Sequence, residues 1–136
     1  MKVRDVMTKD VVVARPDDTI QSIASHMASG GFGFVPVCDG ERLVGTLTDR
    51  DLAVRALAIG ASPETRASEV MTHDVAWCRD DEDLKTVLHL MSERQVRRLP
   101  IVDKDRKLVG VVSLGDLSIR VKEKYAGEAL ESISRS

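Results

Sequence analysis

One stretch of this chain is written twice. Val6-Met7-Thr8 and Asp10-Val11 return 64 positions later as Val70-Met71-Thr72 and Asp74-Val75, and Ile20, Met27, Pro36 and Val37 meet Leu84, Met91, Pro100 and Ile101 at the same offset. After one extra residue in a polar turn, Leu43-Val44-Gly45 meets Leu108-Val109-Gly110. A module near 60 residues buries too little surface to be comfortable alone, so the 136-residue chain is expected to fold as two related halves around a shared core. Two related halves also imply two related sites. Gly60, Ser62 and Pro63 mark the link. The expected division is a first repeat over 1–62, a second over 63–122, and a tail over 123–136 that carries Ala129, Leu130 and Ile133 at helical spacing.

Each copy opens with a short β-rich run, Val11-Val12-Val13 and Val75-Ala76-Trp77. Acidic residues suited to capping a helix follow, Asp17 and Asp18 in one copy, Asp80 and Asp81 in the other. Ile20, Ile23, Ala24 and Met27 then recur at helical spacing, as do Leu84, Val87, Leu88 and Met91. Gly30-Gly31 ends the first helix. A hairpin comes next in both copies, with strands at Phe34 to Val37 and Leu43 to Leu47, and at Leu99 to Val102 and Leu108 to Val112. A last helix starts near Asp49 and near Leu114. Each copy is therefore β-α-β-β-α, and the fold class is α/β in the mixed, α+β sense.

A net charge of −2 with both signs interspersed leaves no electrostatic footprint for nucleic acid, and no run of 18 apolar residues exists to span a bilayer. The N-terminus begins with Lys2, Arg4 and Asp5 rather than an apolar leader, and a cytoplasmic protein is expected. Cys38 and Cys78 stand at non-equivalent places, form no CxxC or Cys/His cluster, and are read as buried strand residues rather than a disulfide. His26, His73 and His89 are scattered and take no role. No nucleophile and base pair, metal motif or phosphate-binding Gly-rich loop appears, so the chain is not expected to be an enzyme or to hold a metal.

The constellation with most chemistry lies where each returning strand enters its last helix: Gly45-Thr46-Leu47-Thr48-Asp49-Arg50-Asp51 and Gly110-Val111-Val112-Ser113-Leu114-Gly115-Asp116, both G-x-x-[ST]-x-x-D. A hydroxyl beside free helix N–H groups suits a phosphate oxygen, and a carboxylate one turn on suits the vicinal hydroxyls of a ribose. The same pattern is also a capping box that satisfies the helix's own amides. Gly45 and Gly110 permit a close backbone approach, and the motif occurs in both copies.

Taken in order and twice, the V-M-T-x-D-V opening, the hairpin starts Val35 to Asp39 and Leu99 to Asp103, and the G-x-x-[ST]-x-x-D segments resemble a tandem pair of cystathionine β-synthase (CBS) domains, the Bateman module. The resemblance implies two β-α-β-β-α units packed about a pseudo-twofold axis with a cleft on each side, commonly paired into a homodimer. It implies a regulatory ligand containing adenosine, such as AMP, ADP, ATP, NAD or S-adenosylmethionine. Carried over by position, Asp51 and Asp116 hold ribose, with Thr48 and Ser113 near ribose or phosphate. By the same resemblance the adenine lies between apolar side chains and is read by backbone groups at Val12, Val13, Phe34 and Val35 in one copy and at Ala76, Trp77, Arg98 and Leu99 in the other. Arg97 and Arg98 precede Leu99-Pro100 and suit a phosphate, whereas their counterparts are Gly33 and Phe34. Arg50 and Arg120 lie close to the motif helices and add charge.

The expected function is thus a stand-alone sensor that reports to a regulated protein the sequence does not name. Two other readings stay open: an interaction module whose clefts are vestigial, and a redox or metal sensor acting through Cys38 and Cys78.

Overall fold

The computed structural model describes residues 1–123, so all but the first residue of the expected tail lies outside the described residues. The first half contains helix α1 (Ile20–Gly30), strands β1 (Phe34–Asp39) and β2 (Arg42–Thr48), and helix α2 (Asp49–Asp51). The second half contains α3 (Ala67–Val70), β3 (Cys78–Arg79), α4 (Leu84–Arg94), β4 (Arg98–Val102), β5 (Leu108–Ser113) and a helix α5 over residues 114–123. This is the mixed α+β architecture expected from the repeat.

Helical periodicity locates α1 and α4. Ile20, Ile23 and Met27 are buried on one, and Leu84, Val87 and Met91 on the other, at the spacing that puts side chains on one face. The caps differ from the expectation. Thr19, not Asp17 or Asp18, caps α1 by accepting from the Ser22 amide, and Asp18 instead accepts from Arg15 N–H at 2.8 Å in the preceding turn. Asp83, not Asp80 or Asp81, stands at the N-cap of α4. Both helices end on a left-handed residue, Gly31 at φ 69° and Gln95 at φ 54°. Beyond α2 the helix widens into a π turn (Leu52–Ala56) and tightens into a 3-10 turn (Leu57–Ile59), so the last helix of the first half is not one regular α-helix.

The opening β runs also move. Val11, Val12 and Val13 are not a strand; only Ala14 forms a parallel bridge, to Val37, and in the second half the strand begins at Cys78, past Val75-Ala76-Trp77. Valine favours extended backbone, but a strand also needs a neighbour, and Val12 and Val13 remain 47% and 42% exposed. The hairpins keep their expected places, with Phe34 opposite Thr48 and Arg98 opposite Ser113. Each carries a bulge at an equivalent position, between Val37 and Cys38 and between Ile101 and Val102.

The cores exchange segments. Val3 and Val6 pack with Leu84, Leu99, Ile101 and Leu117 of the second half, while Ala67, Val70 and Met71 pack with Ile20, Ile23, Val35 and Leu47 of the first. The V-M-T segments deliver them. Thr8 and Val111 exchange two backbone hydrogen bonds of 2.9 Å, and Thr72 and Thr46 exchange the equivalent pair at 2.8 and 3.1 Å. This explains the repeated glycines differently from the expectation of close approach to a ligand. A Cβ on Gly45 would stand 2.6 Å from Met71 Sδ, and one on Gly110 would stand 2.7 Å from Met7 Sδ. Each glycine makes room for the methionine arriving from the other repeat.

These reciprocal contacts define a pseudo-twofold axis. The bridge Lys2 to Asp83 has its equivalent in Arg66 to Thr19, and Arg42 pairs with Lys107, its own counterpart. Around that self-pairing, Leu108 N–H donates to Glu41 O at 3.0 Å and Leu43 N–H to Arg106 O at 3.4 Å. Cys38, Leu43 and Val102 form a small buried core beside them, flanked by Val75, Trp77 and Leu108.

Candidate functional site

Two concave clefts flank the axis. One, of about 680 Å³, contains Thr48 and Asp51; the other, of about 440 Å³, contains Ser113 and Asp116. Both volumes fall within the range of roughly 300–1,000 Å³ usual for small-molecule sites. Each cleft combines the two repeats. The Asp51 cleft takes its hydroxyl and carboxylate from the first half and Val75, Ala76, Arg97, Arg98 and Pro100 from the second. The Asp116 cleft takes Ser113 and Asp116 from the second half and Val11, Val12, Phe34 and Pro36 from the first.

Strand alternation sorts the apolar candidates. Side chains two apart share a face, so Phe34 and Pro36 border a cleft while Val35 and Val37 go to the helix-side core, 1% and 0% exposed. In β4 Arg98 and Pro100 border a cleft, and Leu99 is fully buried beneath α4. The Val35 and Leu99 side chains therefore pack in the cores and do not line the clefts. Trp77 is also not a lining residue: half-buried, it packs against the small inter-repeat core, and the Arg106 guanidinium lies 5.1 Å from its ring centroid. Its counterpart Val13 is too small to fill the equivalent place, where a separate cavity of about 340 Å³ is bordered by Val13, Cys38 and Leu108. Val13 thus borders neither cleft.

The G-x-x-[ST]-x-x-D segment forms the capping box in the first copy while its side chains also line the cleft. Thr48 Oγ1 accepts from Asp51 N–H at 3.1 Å, and Asp51 Oδ2 accepts from Thr48 N–H at 2.9 Å, a complete capping box. Arg55 Nε lies 3.7 Å from Asp51 Oδ1. Ionised carboxylate oxygens have more than one acceptor site each, so a boxed Asp51 still faces the cleft with capacity to spare. The second copy is looser: Ser113 Oγ accepts from Asp116 N–H at 3.1 Å, and among the described residues the Asp116 carboxylate makes no return bond to Ser113.

Charge separates the clefts. The Asp51 cleft is lined by Arg50, Arg94, Arg97 and Arg98 against Asp49, Asp51 and Asp74, four positive groups to three negative. The Asp116 cleft has Arg98 against Asp10 and Asp116, with Phe32 and Phe34 supplying aromatic surface. Arg94 is held in place by Asp74, 3.4 Å from its Oδ2 and donating to its backbone O at 3.3 Å. Arg120 points elsewhere and pairs with Glu123 at 3.6 Å. Several lining residues escaped the sequence reading, chiefly Thr8, Asp10 and Val11 with their counterparts Thr72, Asp74 and Val75. The signal for them was the repeated V-M-T-x-D-V itself.

The cysteines are sealed. Cys38 and Cys78 are free, 2% and 5% exposed, and burial pushes both thiols up to about 11, with Glu82 adding to the effect at Cys78. A thiol so held is a poor nucleophile and a poor metal ligand at neutral pH. Among the described residues, no group of three or more His, Cys, Asp or Glu is placed to hold a metal ion, and no helix is long and apolar enough to cross a membrane.

The CBS domain family model matches residues 3–57 and again 67–123. The chain is 42% identical over 133 residues to the CBS domain-containing protein YhcV of Bacillus subtilis, covering 97% of this chain and 94% of that protein. Among solved structures, the CBS domain pair of protein MJ0100 in complex with 5'-methylthioadenosine and S-adenosyl-L-methionine superposes with a TM-score of 0.79 at 29% identity, covering 91% of this chain and 98% of that one. CBSX2 in complex with AMP superposes with a TM-score of 0.79 at 26% identity, over the same shares of the two chains.

Proposed function

This chain belongs to the CBS-domain family as a tandem pair, and from that premise we propose that it is a regulatory sensor of adenosine nucleotides rather than an enzyme. The observation that carries the proposal is the composition of each cleft: a ribose-matched hydroxyl and carboxylate from one repeat facing apolar side chains from the other. Adenosine needs both at once. Asp51 and Asp116 accept from ribose hydroxyls, Thr48 and Ser113 stand near ribose or phosphate, and Val75 with Ala76, or Val11 with Val12, offers apolar surface to the base. Solved CBS pairs holding AMP and S-adenosylmethionine support the ligand class.

In this proposal the Asp51 cleft prefers a phosphorylated ligand such as AMP, ADP, ATP or NAD, because Arg50, Arg97 and Arg98 surround it. The Asp116 cleft prefers adenosine moieties with less negative charge. Since each cleft is built from both repeats, a ligand bridges them and favours one relative arrangement of the halves, which a partner protein or a second copy of the chain reads. We also place the protein in the cytoplasm as a homodimer, in keeping with a nucleotide ligand.

Thermal unfolding with AMP, ATP, NAD and S-adenosylmethionine tests this. At least one must raise the melting temperature progressively with concentration, and the effect must shrink in Asp51→Ala or Asp116→Ala. No shift with any of the four, at millimolar concentration, would rule out the sensor.

A further inference from the structure

Arg98 borders both clefts, and so does its pseudo-twofold counterpart Phe34. The two residues stand at the starts of β4 and β1, opposite Ser113 and Thr48 respectively, and together form the partition between the sites. The partition is therefore not neutral: it is one guanidinium and one aromatic ring. Arg94, Arg97 and Arg50 line the Asp51 cleft and not the other, and among the described residues Arg98 is the one cation lining the Asp116 cleft.

We infer that Arg98 is shared between the two clefts and makes them antagonistic toward phosphorylated ligands: a phosphate bound in the Asp51 cleft engages Arg98 and thereby weakens phosphate binding in the Asp116 cleft, and the reverse. This rests on the nucleotide reading of the clefts. A single guanidinium can offer its fork to a phosphate bidentately in one direction at a time. Once engaged it is also neutralised, so a second anion on the other side of the partition meets a site whose remaining charged lining, among the described residues, is Asp10 and Asp116. The Asp51 cleft keeps three other arginines and therefore binds phosphate the more tightly of the two. Linkage requires the coupling factor to be the same in both directions. The consequence is a graded sensor, in which the first phosphorylated ligand enters the Asp51 cleft and the second binds only at much higher concentration.

Calorimetric titration of the full chain tests the sharing. AMP affinity is measured for each cleft alone, in Asp116→Ala for the Asp51 cleft and Asp51→Ala for the Asp116 cleft, with Asp51→Asn as the second choice if the alanine variant unfolds. In the unsubstituted chain the second AMP should bind at least about 5-fold more weakly than its single-cleft affinity, the lower end of typical coupling. Adenosine, which has no phosphate, should show no such penalty. In Arg98→Met both affinities for AMP fall, and the penalty should drop below about 2-fold. An AMP isotherm of the unsubstituted chain equal to the sum of the two single-cleft isotherms overturns the sharing. So does AMP binding confined to one cleft in every variant, while leaving the nucleotide reading intact. Failure of AMP and adenosine to bind at all overturns both.

Discussion

Where the Asp51 cleft has Arg94, Arg97 and Arg50, the equivalent positions of the other half are Gly30, Gly33 and Gly115. The helix motif is kept in both, Thr48 with Asp51 and Ser113 with Asp116, and so is the crossing V-M-T segment that lines each cleft with Thr72 or Thr8. Duplication has preserved what builds a cleft and varied what charges it. One cleft has four cations to three anions and the other one to two. The comparison teaches that a repeat's conserved positions report the architecture of a site, whereas ligand preference lies in the positions where the copies part.

The comparison can be tested from the core outward. Neighbours in β4 should separate most sharply: Leu99→Ala, at a fully buried position, should cost about 2–5 kcal/mol in urea unfolding, whereas Arg98→Met should change stability by no more than about 0.5 kcal/mol. An equal loss in both would mean that the alternation between core and cleft is wrong. The two glycines come next. A Cβ at Gly110 meets the Thr8 carbonyl oxygen at 2.9 Å as well as Met7, while the three atoms nearest one at Gly45 all belong to the Met71 side chain, which can swing aside. Gly110→Ala should therefore destabilise by about 1–3 kcal/mol and Gly45→Ala by less.

Arg97→Ala should weaken AMP about tenfold in the Asp51 cleft, near 1.4 kcal/mol, and leave the Asp116 cleft unchanged when each is measured alone by calorimetry. A smaller difference is expected from the motif carboxylates in the absence of ligand. Asp51→Ala breaks the bond to Thr48 N–H and the approach of Arg55, at about 1 kcal/mol. Asp116→Ala lacks that return bond and should cost under about 0.5 kcal/mol.

The cysteines lie outside the clefts and give the control. Because burial raises both thiols from 9.0 to about 11, the folded state holds its protons to higher pH than the unfolded chain. Stability should be unaffected by them below pH 9 and fall between pH 9 and about 11. Cys38→Ala with Cys78→Ala should flatten that fall, and a thiol reagent at pH 8 should label the native chain only as fast as it unfolds.

Much of the fold was legible because it is local. Apolar spacing located α1 and α4, Gly31 marked the end of α1, and alternating β-branched runs bounded by Asp39-Gly40 and Asp103 to Lys107 located both hairpins. The misplacements were local too, and came from competition. Asp18 found a turn amide before it could cap a helix, and Val12 and Val13 found no strand to pair with. For the site, Thr48, Asp51, Ser113 and Asp116 were legible as a pattern, and Arg97 and Arg98 as a difference between patterns. Val35 and Leu99 were not, because which face of a strand meets a cleft depends on what packs on the other, and Val13 and Trp77 were not, because they lie outside any strand and are placed by packing between the repeats.

The chain's own letters therefore determined two copies of one unit, a helix followed by a hairpin and a closing helical turn, their family, and the pair of hydroxyl and carboxylate motifs, all consequences of short-range spacing and of repetition. Only the tertiary structure decided that Met7 and Met71 cross to the opposite repeat, that each cleft is completed by the other half, and that Arg98 stands between them. Those are contacts between segments tens of residues apart, and they exist only once the two halves have packed about their axis.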